Sequence, residues 1–166
     1  MMKKAIKKLL AALLAVAMVC AMVIPAFASG AATEDIKKHT FSAYQIFKGD
    51  ISGSKLSNVT WGSNIGTDSV GFLTALSNDE TIGSKFNSSM TIDEVLKVIS
   101  NWPDSSPEAR AFARAVSAYL MRDSQNLPNP SATSIVGTAT IALPEAGYYL
   151  IVDTKNILTP AIIIIL

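Results

Sequence analysis

Thr40-Phe41-Ser42-Ala43-Tyr44-Gln45-Ile46-Phe47 is the stretch that decides the fold. It is dense in aromatic and β-branched side chains and has turn formers on its flank, the signature of a strand. Gly49-Asp50 and Ser52-Gly53-Ser54 punctuate the chain after it, and residues 56–61 read as a second short strand. The two predict a hairpin with a loose loop.

Past the hairpin the apolar spacing turns helical. Asp68 is placed to cap a segment whose Phe72, Leu73 and Leu76 share a face. Thr91 and Glu94 form a capping box, in which each side chain satisfies a free backbone N–H of the first turn. Met90 and Val95 stand where a hydrophobic staple would, and Ile92, Val95, Leu96 and Ile99 line one face. Trp102-Pro103 closes this helix, because a residue before proline avoids the helical region. A third helix starts near Ser106 with Pro107 at its first position. Its Ala109, Phe112, Ala113, Val116, Tyr119 and Leu120 follow the i, i+3, i+4, i+7 rule, with Arg110, Arg114 and Ser117 pointing away. Two prolines make residues 126–131 a loop.

The last third reads as strands again. Ile135, Ala139, Ile141 and Leu143 alternate with Val136, Thr138 and Thr140; residues 144–147 read as a turn and 148–153 (YYLIVD) as a strand. Residues 161–166 (AIIIIL) are apolar on both faces, and such a strand needs cover on both sides. Strands, then helices, then strands is the order of an α+β domain with antiparallel pairing and a helical insertion.

Upstream, residues 1–8 carry Lys3, Lys4, Lys7 and Lys8, and residues 9–24 are unbroken apolar. Pro25 ends the run, and Ala26-Phe27-Ala28 is a small-x-small cleavage site before Ser29. The run of 16 residues falls short of the roughly 20 that a bilayer span needs, so 1–28 reads as a cleaved signal peptide and no stable span is expected after cleavage. Residues 29–38 form a small, polar leader, and 39–166 the domain. Cys20, the only thiol, lies inside the run behind Val19, which is not the small residue of a lipoprotein site. The exported part therefore has no disulfide staple, and packing or another cross-link must stabilise it. Removing the four signal lysines from the 14 basic residues leaves 10 against 13 acidic ones, a net charge of −3. That surface gives no electrostatic reason to bind nucleic acid or anionic lipid.

The inventory for catalysis is thin. His39 is the only histidine, which rules out a His-based metal cluster. It reads as an exposed or capping residue at the strand entrance. There is no Gly-x-Ser-x-Gly elbow and no phosphate-binding glycine loop. The acidic pairs Glu34-Asp35, Asp79-Glu80 and Asp93-Glu94 sit near loops and helix starts, where negative charge is favourable. Asn58-Val59-Thr60 and Asn87-Ser88-Ser89 match a glycosylation pattern that matters only in a eukaryotic secretory pathway. Leu143-Pro144-Glu145-Ala146-Gly147 differs from an LPxTG sorting signal at Ala146, and Asp153, Lys155 and Asn156 interrupt the apolar stretch beyond it; it reads as a turn. Catalytic residues, cofactors and metals are expected to be none.

His39-Thr40-Phe41-Ser42-Ala43-Tyr44-Gln45-Ile46-Phe47, Gly49-Asp50 and Lys55-Leu56-Ser57-Asn58-Val59-Thr60-Trp61-Gly62-Ser63-Asn64-Ile65 resemble the start of mature Gram-positive pilus backbone subunits. These are the isopeptide-forming fimbrial proteins that sortase assembles. Ala146-Gly147-Tyr148-Tyr149-Leu150-Ile151-Val152-Asp153 and Leu158-Thr159-Pro160-Ala161 are similar to the closing strands of that family's first domain. The resemblance implies an Ig-like, sandwich-type pilin domain and a structural subunit without turnover. It would be displayed at the cell wall in a pilus and support adhesion. Its implied partners are other pilin subunits, sortase and a host surface ligand.

In that family sortase joins the threonine of LPxTG to a lysine in a Val-x-x-x-Pro-Lys segment of the next subunit. No such segment precedes Leu166, so the expectation is a domain truncated at its C-terminal side. The family's self-formed Lys–Asn amide would draw on Lys37, Lys38 or Lys48 and on Asn156, with no single pairing readable from the sequence. The alternative reading is a small secreted adhesive or ligand-binding module that does not polymerise.

Overall fold

The computed structural model describes residues 39–52, 55–103, 106–123, 125–135, 141–154 and 156–165; for residues 52, 55 and 156–165 it describes the backbone only. The signal segment with Ala26, Ala28 and Ser29, the leader, and Lys37 and Lys38 lie outside the described residues.

Strands β1 (Phe41–Ser52) and β2 (Lys55–Trp61) form the hairpin. Helices α1 (Ser69–Ser77), α2 (Ile92–Ile99) and α3 (Pro107–Leu120) come next, with a 3₁₀ turn at Gly83–Lys85. Then come β3 (Ala132–Thr133), β4 (Gly147–Asp153) and β5 (Asn156–Ile165). The strands make one antiparallel sheet in the order β2-β1-β4-β5, with β3 also on β1. This is the α+β class. A second full sheet facing the first is not present among the described residues. Nor is any helix among them long and apolar enough to cross a membrane.

β1 is longer than the sequence suggests, because Gly49-Asp50 continues the strand as an irregularity. The register shifts between Lys48 and Asp50. A Cβ at Gly49 would lie 2.6 Å from the Ser57 carbonyl oxygen, so only glycine lets β2 approach here. Ser52 pairs with Lys55, which makes the hairpin loop tighter than expected. A second irregularity shapes the core. Gln45 pairs with Tyr149 and Phe47 with Tyr148, leaving Ile46 as an extra residue on β1. Such a bulge resets the face alternation. Ile46 and Phe47 thus both enter the main core beside Tyr44, while Ala43 faces the opposite side.

The helices cover one face of the sheet. Asp68 caps α1 by accepting from the Gly71 N–H at 3.0 Å. The Thr91–Glu94 box forms in both directions, at 2.8 Å and 3.4 Å. Ser106 caps α3, with Pro107 opening it. Val95, Leu96 and Ile99 are buried as expected, with Met90 and Ile92 packed half-buried against the same core. Ser117 departs from expectation: it is buried. α3 packs against α1 and also against β4 and β5, so its covered arc is wider than one stripe. Aromatic rings tie the two layers together. Phe47 meets Trp61 and Tyr148 at 5.4 and 5.7 Å between centroids, Trp61 meets Phe72 at 5.8 Å, and Phe72 meets Tyr119 at 5.3 Å.

The centre of the strand read over residues 135–143, residues 136–140, lies outside the described residues, and Ser134, Ile135 and 141–143 are irregular. Among the described residues strand pairing here falls on Ala132–Thr133. There Ser134 takes over the edge of β1, its N–H donating to the Phe41 carbonyl and its hydroxyl accepting from the Phe41 N–H. Ile141, with Leu143 half-buried beside it, packs on the second face of the sheet against Ala43, Tyr149 and Ile151. Strand β5 takes in the apolar AIIIIL stretch as far as Ile165 and extends back to Asn156.

Candidate functional site

The densest polar constellation lies where β1 lacks a strand neighbour. Along that edge β2 pairs from Phe47 onward and β3 pairs only at Ser42 and Ala43. The segment between them would leave backbone groups unmet, which is costly in a buried strand. The Gln45 N–H is met by Asn64 Oδ1 at 2.8 Å and Ser131 Oγ at 3.2 Å. The Ile46 carbonyl accepts from the Gly62 N–H, and the Gln45 carbonyl from the Asn64 N–H. Ser131 Oγ donates to Asn64 Oδ1 at 2.9 Å, and Asn64 Nδ2 reaches the Asn129 carbonyl at 2.9 Å.

On the second face the Gln45 side chain is buried. Its Nε2 donates to the Tyr149 hydroxyl at 3.0 Å, and its Oε1 accepts from the Ser63 N–H at 3.2 Å. The Tyr149 hydroxyl in turn donates to the Glu145 carbonyl at 2.9 Å, pinning the Leu143–Gly147 bend onto β4. Burial raises the Tyr149 phenol above its ordinary value, against the lowering effect of the Gln45 hydrogen bond. Tyr44 is likewise pushed up by burial. These groups are amides and hydroxyls, with the Glu145 charge also acting to raise the Tyr149 phenol. Among the described residues every buried side-chain nitrogen and oxygen has a hydrogen-bond partner.

Two further clusters sit at element ends. The Tyr119 hydroxyl donates to the Asp68 carbonyl and carboxylate, both at 2.9 Å. Arg122 reaches the same carboxylate at 3.2 Å and stands 4.0 Å over the Tyr119 ring. This clasp joins the start of α1 to the end of α3. Burial and the neighbouring Asp68 raise the Tyr119 phenol. At the far end of the sheet, His39 Nδ1 bonds Asp153 Oδ2 at 2.5 Å across the β1–β4 seam. His39 is half-buried and paired across strands, where the sequence suggested exposure or capping.

Two of the acidic pairs serve a turn and a helix start. Asp79 closes a turn by accepting from the Thr81 and Ile82 N–H groups, and Asp93-Glu94 occupies the first turn of α2. The Thr91 N–H and hydroxyl hold the Glu94 carboxyl below its usual range. Glu34-Asp35 lies outside the described residues. Asn58 adopts φ 50° on β2 and donates to Asp50 at 2.9 Å, while Asn87 caps its own turn through the Ser89 N–H.

Lys48 is exposed and pairs with Gly147, at the opposite end of β4 from Asp153 and Asn156. Six steps of about 3.3 Å along β4 separate those ends by about 20 Å, so Lys48 and Asn156 do not meet. Among the described residues no three His, Cys, Asp or Glu side chains gather as metal ligands.

Sequence reasoning missed the Gln45–Tyr149 pair and the Asn64–Ser131 bridge. The one signal for the first was a glutamine inside an otherwise apolar strand, a residue that must find partners when buried. No protein-family model matches the chain, and no curated protein matches it.

Proposed function

We propose that this chain is the first domain of a structural subunit of a Gram-positive surface pilus, exported through the 1–28 signal and without catalytic turnover. One observation carries the reading. The two stretches that bear the resemblance are about a hundred residues apart in sequence, yet they pair directly as neighbouring strands, from Phe41 with Asp153 to Lys48 with Gly147. A chance likeness of two separate segments would have no reason to meet in one register. The polar groups of the seam are spent on locking strands to one another, which suits a load-bearing module. We take the apolar second face, with Ala43, Tyr149 and Ile151, as the inner surface of an Ig-like sandwich.

The partners on this reading are other pilin subunits, a sortase and a host surface ligand. An internal amide to Asn156 would draw on Lys37 or Lys38, which precede β1 in the sequence. The test places the gene with its downstream neighbourhood in a sortase-bearing Gram-positive cell and tracks it with an antibody against the domain. Wall extracts should show a detergent-resistant ladder of rising mass, with Ser29 as the mature N-terminus. A single unpolymerised band in wall and medium would sink the shaft and leave a secreted adhesive module. An intact mass short by one ammonia would show the amide; an unshifted mass would exclude it.

A further inference from the structure

β4 is antiparallel to β1 on one side and to β5 on the other, so β1 and β5 run parallel with β4 between them. β1 starts where β4 ends, with Phe41 opposite Asp153, and β5 finishes where β4 starts, with Ile165 opposite Gly147. The start of β1 and the end of β5 therefore lie at opposite ends of the sheet. They are about 20 Å apart along the strands and about 10 Å apart across them, two strand spacings. Tension applied through these two points runs mainly along the strands. It acts across the inter-strand hydrogen bonds, which stand perpendicular to the strands. Under that load the rungs of the β1–β4 and β4–β5 ladders are strained together, and none can open ahead of the rest.

We propose that the two ladders form a shear clamp, which makes the domain a tension-bearing link between whatever is attached before β1 and after β5. The entry point is fastened. His39 Nδ1 bonds Asp153 Oδ2 at 2.5 Å, and the Thr154 N–H and hydroxyl both donate to the Thr40 carbonyl at 2.9 Å. The bulge at Ile46 interlocks the first ladder, because β1 cannot slide along β4 without drawing Ile46 and Phe47 out of the main core. β2, the three helices and β3 lie between β1 and β4 in sequence but off the path β1-β4-β5, so they are not stretched until the clamp gives way. The inference holds for a tether of any kind, so its failure and the failure of the proposed function are separate results.

The test pulls single molecules of the full chain in two directions. Cys20→Ser removes the native thiol, and handles are joined at Lys38→Cys and Leu166→Cys, or at Lys38→Cys and Lys155→Cys. The first pair loads both ladders in shear. The second pulls at the end that β1 and β4 share, since position 155 directly follows β4, and peels the β1–β4 rungs one after another. At one pulling speed the rupture force of the first pair should be at least about twice that of the second, because forced unfolding follows the barrier to unfolding. Rupture should release about 130 residues at about 3.3–3.6 Å each, a single step of about 400–450 Å. In the first geometry Gly147→Ala, which disturbs rungs of the clamp, should lower the force more than Phe72→Ala, which lies off the path, although Phe72→Ala should lower the melt more. Equal forces in the two directions, extension without a rupture step, or variant forces that rank with the melts would each overturn the proposal.

Discussion

Gln45 shows how one residue sets a register. Its side chain is nearly inaccessible, and both of its polar ends are used, by Tyr149 and by the Ser63 N–H. Leaving a buried polar group unpaired costs about 1–3 kcal/mol. Gln45→Ala should therefore lower stability by about that much in denaturant titration. Tyr149→Phe should cost less, and a double-mutant cycle should show coupling between the two positions. The tyrosines add a pH signature. Tyr44, Tyr119 and Tyr149 all have phenols raised above 10.0 by burial. The folded state holds these protons longer than the unfolded state does. Stability from this source is whole below pH 10 and is lost as pH rises through the folded values. Alkaline melts should show the decline, and Tyr149→Phe should make it shallower.

At the level of elements, the β1–β4 ladder depends on close backbone approach at Gly147. A Cβ added to Gly147 would collide with the Phe47 carbonyl oxygen, a backbone atom that cannot turn aside. Gly147→Ala should therefore separate the first rungs of β4 from β1. The cost should be about 1–3 kcal/mol, the usual penalty for overpacking. Hydrogen exchange should localise the damage to amides of the β1–β4 ladder near Lys48, with those of α2 unchanged. The helix starts behave differently. Each is set by residues within four positions of one another, so Asp68, Thr91-Glu94 and Ser106-Pro107 were readable without any tertiary contact.

The whole molecule has one main core shared by helices and sheet. Phe72 is fully buried and contacts Trp61 on the sheet side and both Phe112 and Tyr119 on α3. Phe72→Ala should cost about 3–5 kcal/mol, the range for a large buried aromatic. Because the rings span both layers, fluorescence of Trp61 and Trp102 and far-ultraviolet dichroism should trace a single coincident transition. Two separated transitions would show that the helical layer and the sheet are independent units.

The α+β class, the β1–β2 hairpin, the three helices with their caps, and β4 were legible in the sequence. Each rests on period or on local hydrogen bonding, which neighbours along the chain suffice to specify. What only the tertiary structure decided were the bulge at Ile46, the strand order β2-β1-β4-β5, the burial of Ser117 and the pairing of Ala132–Thr133 with β1. These depend on distant partners, such as Ser131 and Tyr149 meeting Gln45 from 86 and 104 positions away. Local propensity carries no term for which distant backbone will supply a missing hydrogen bond. The choice falls to whichever packing leaves fewest buried groups unmet.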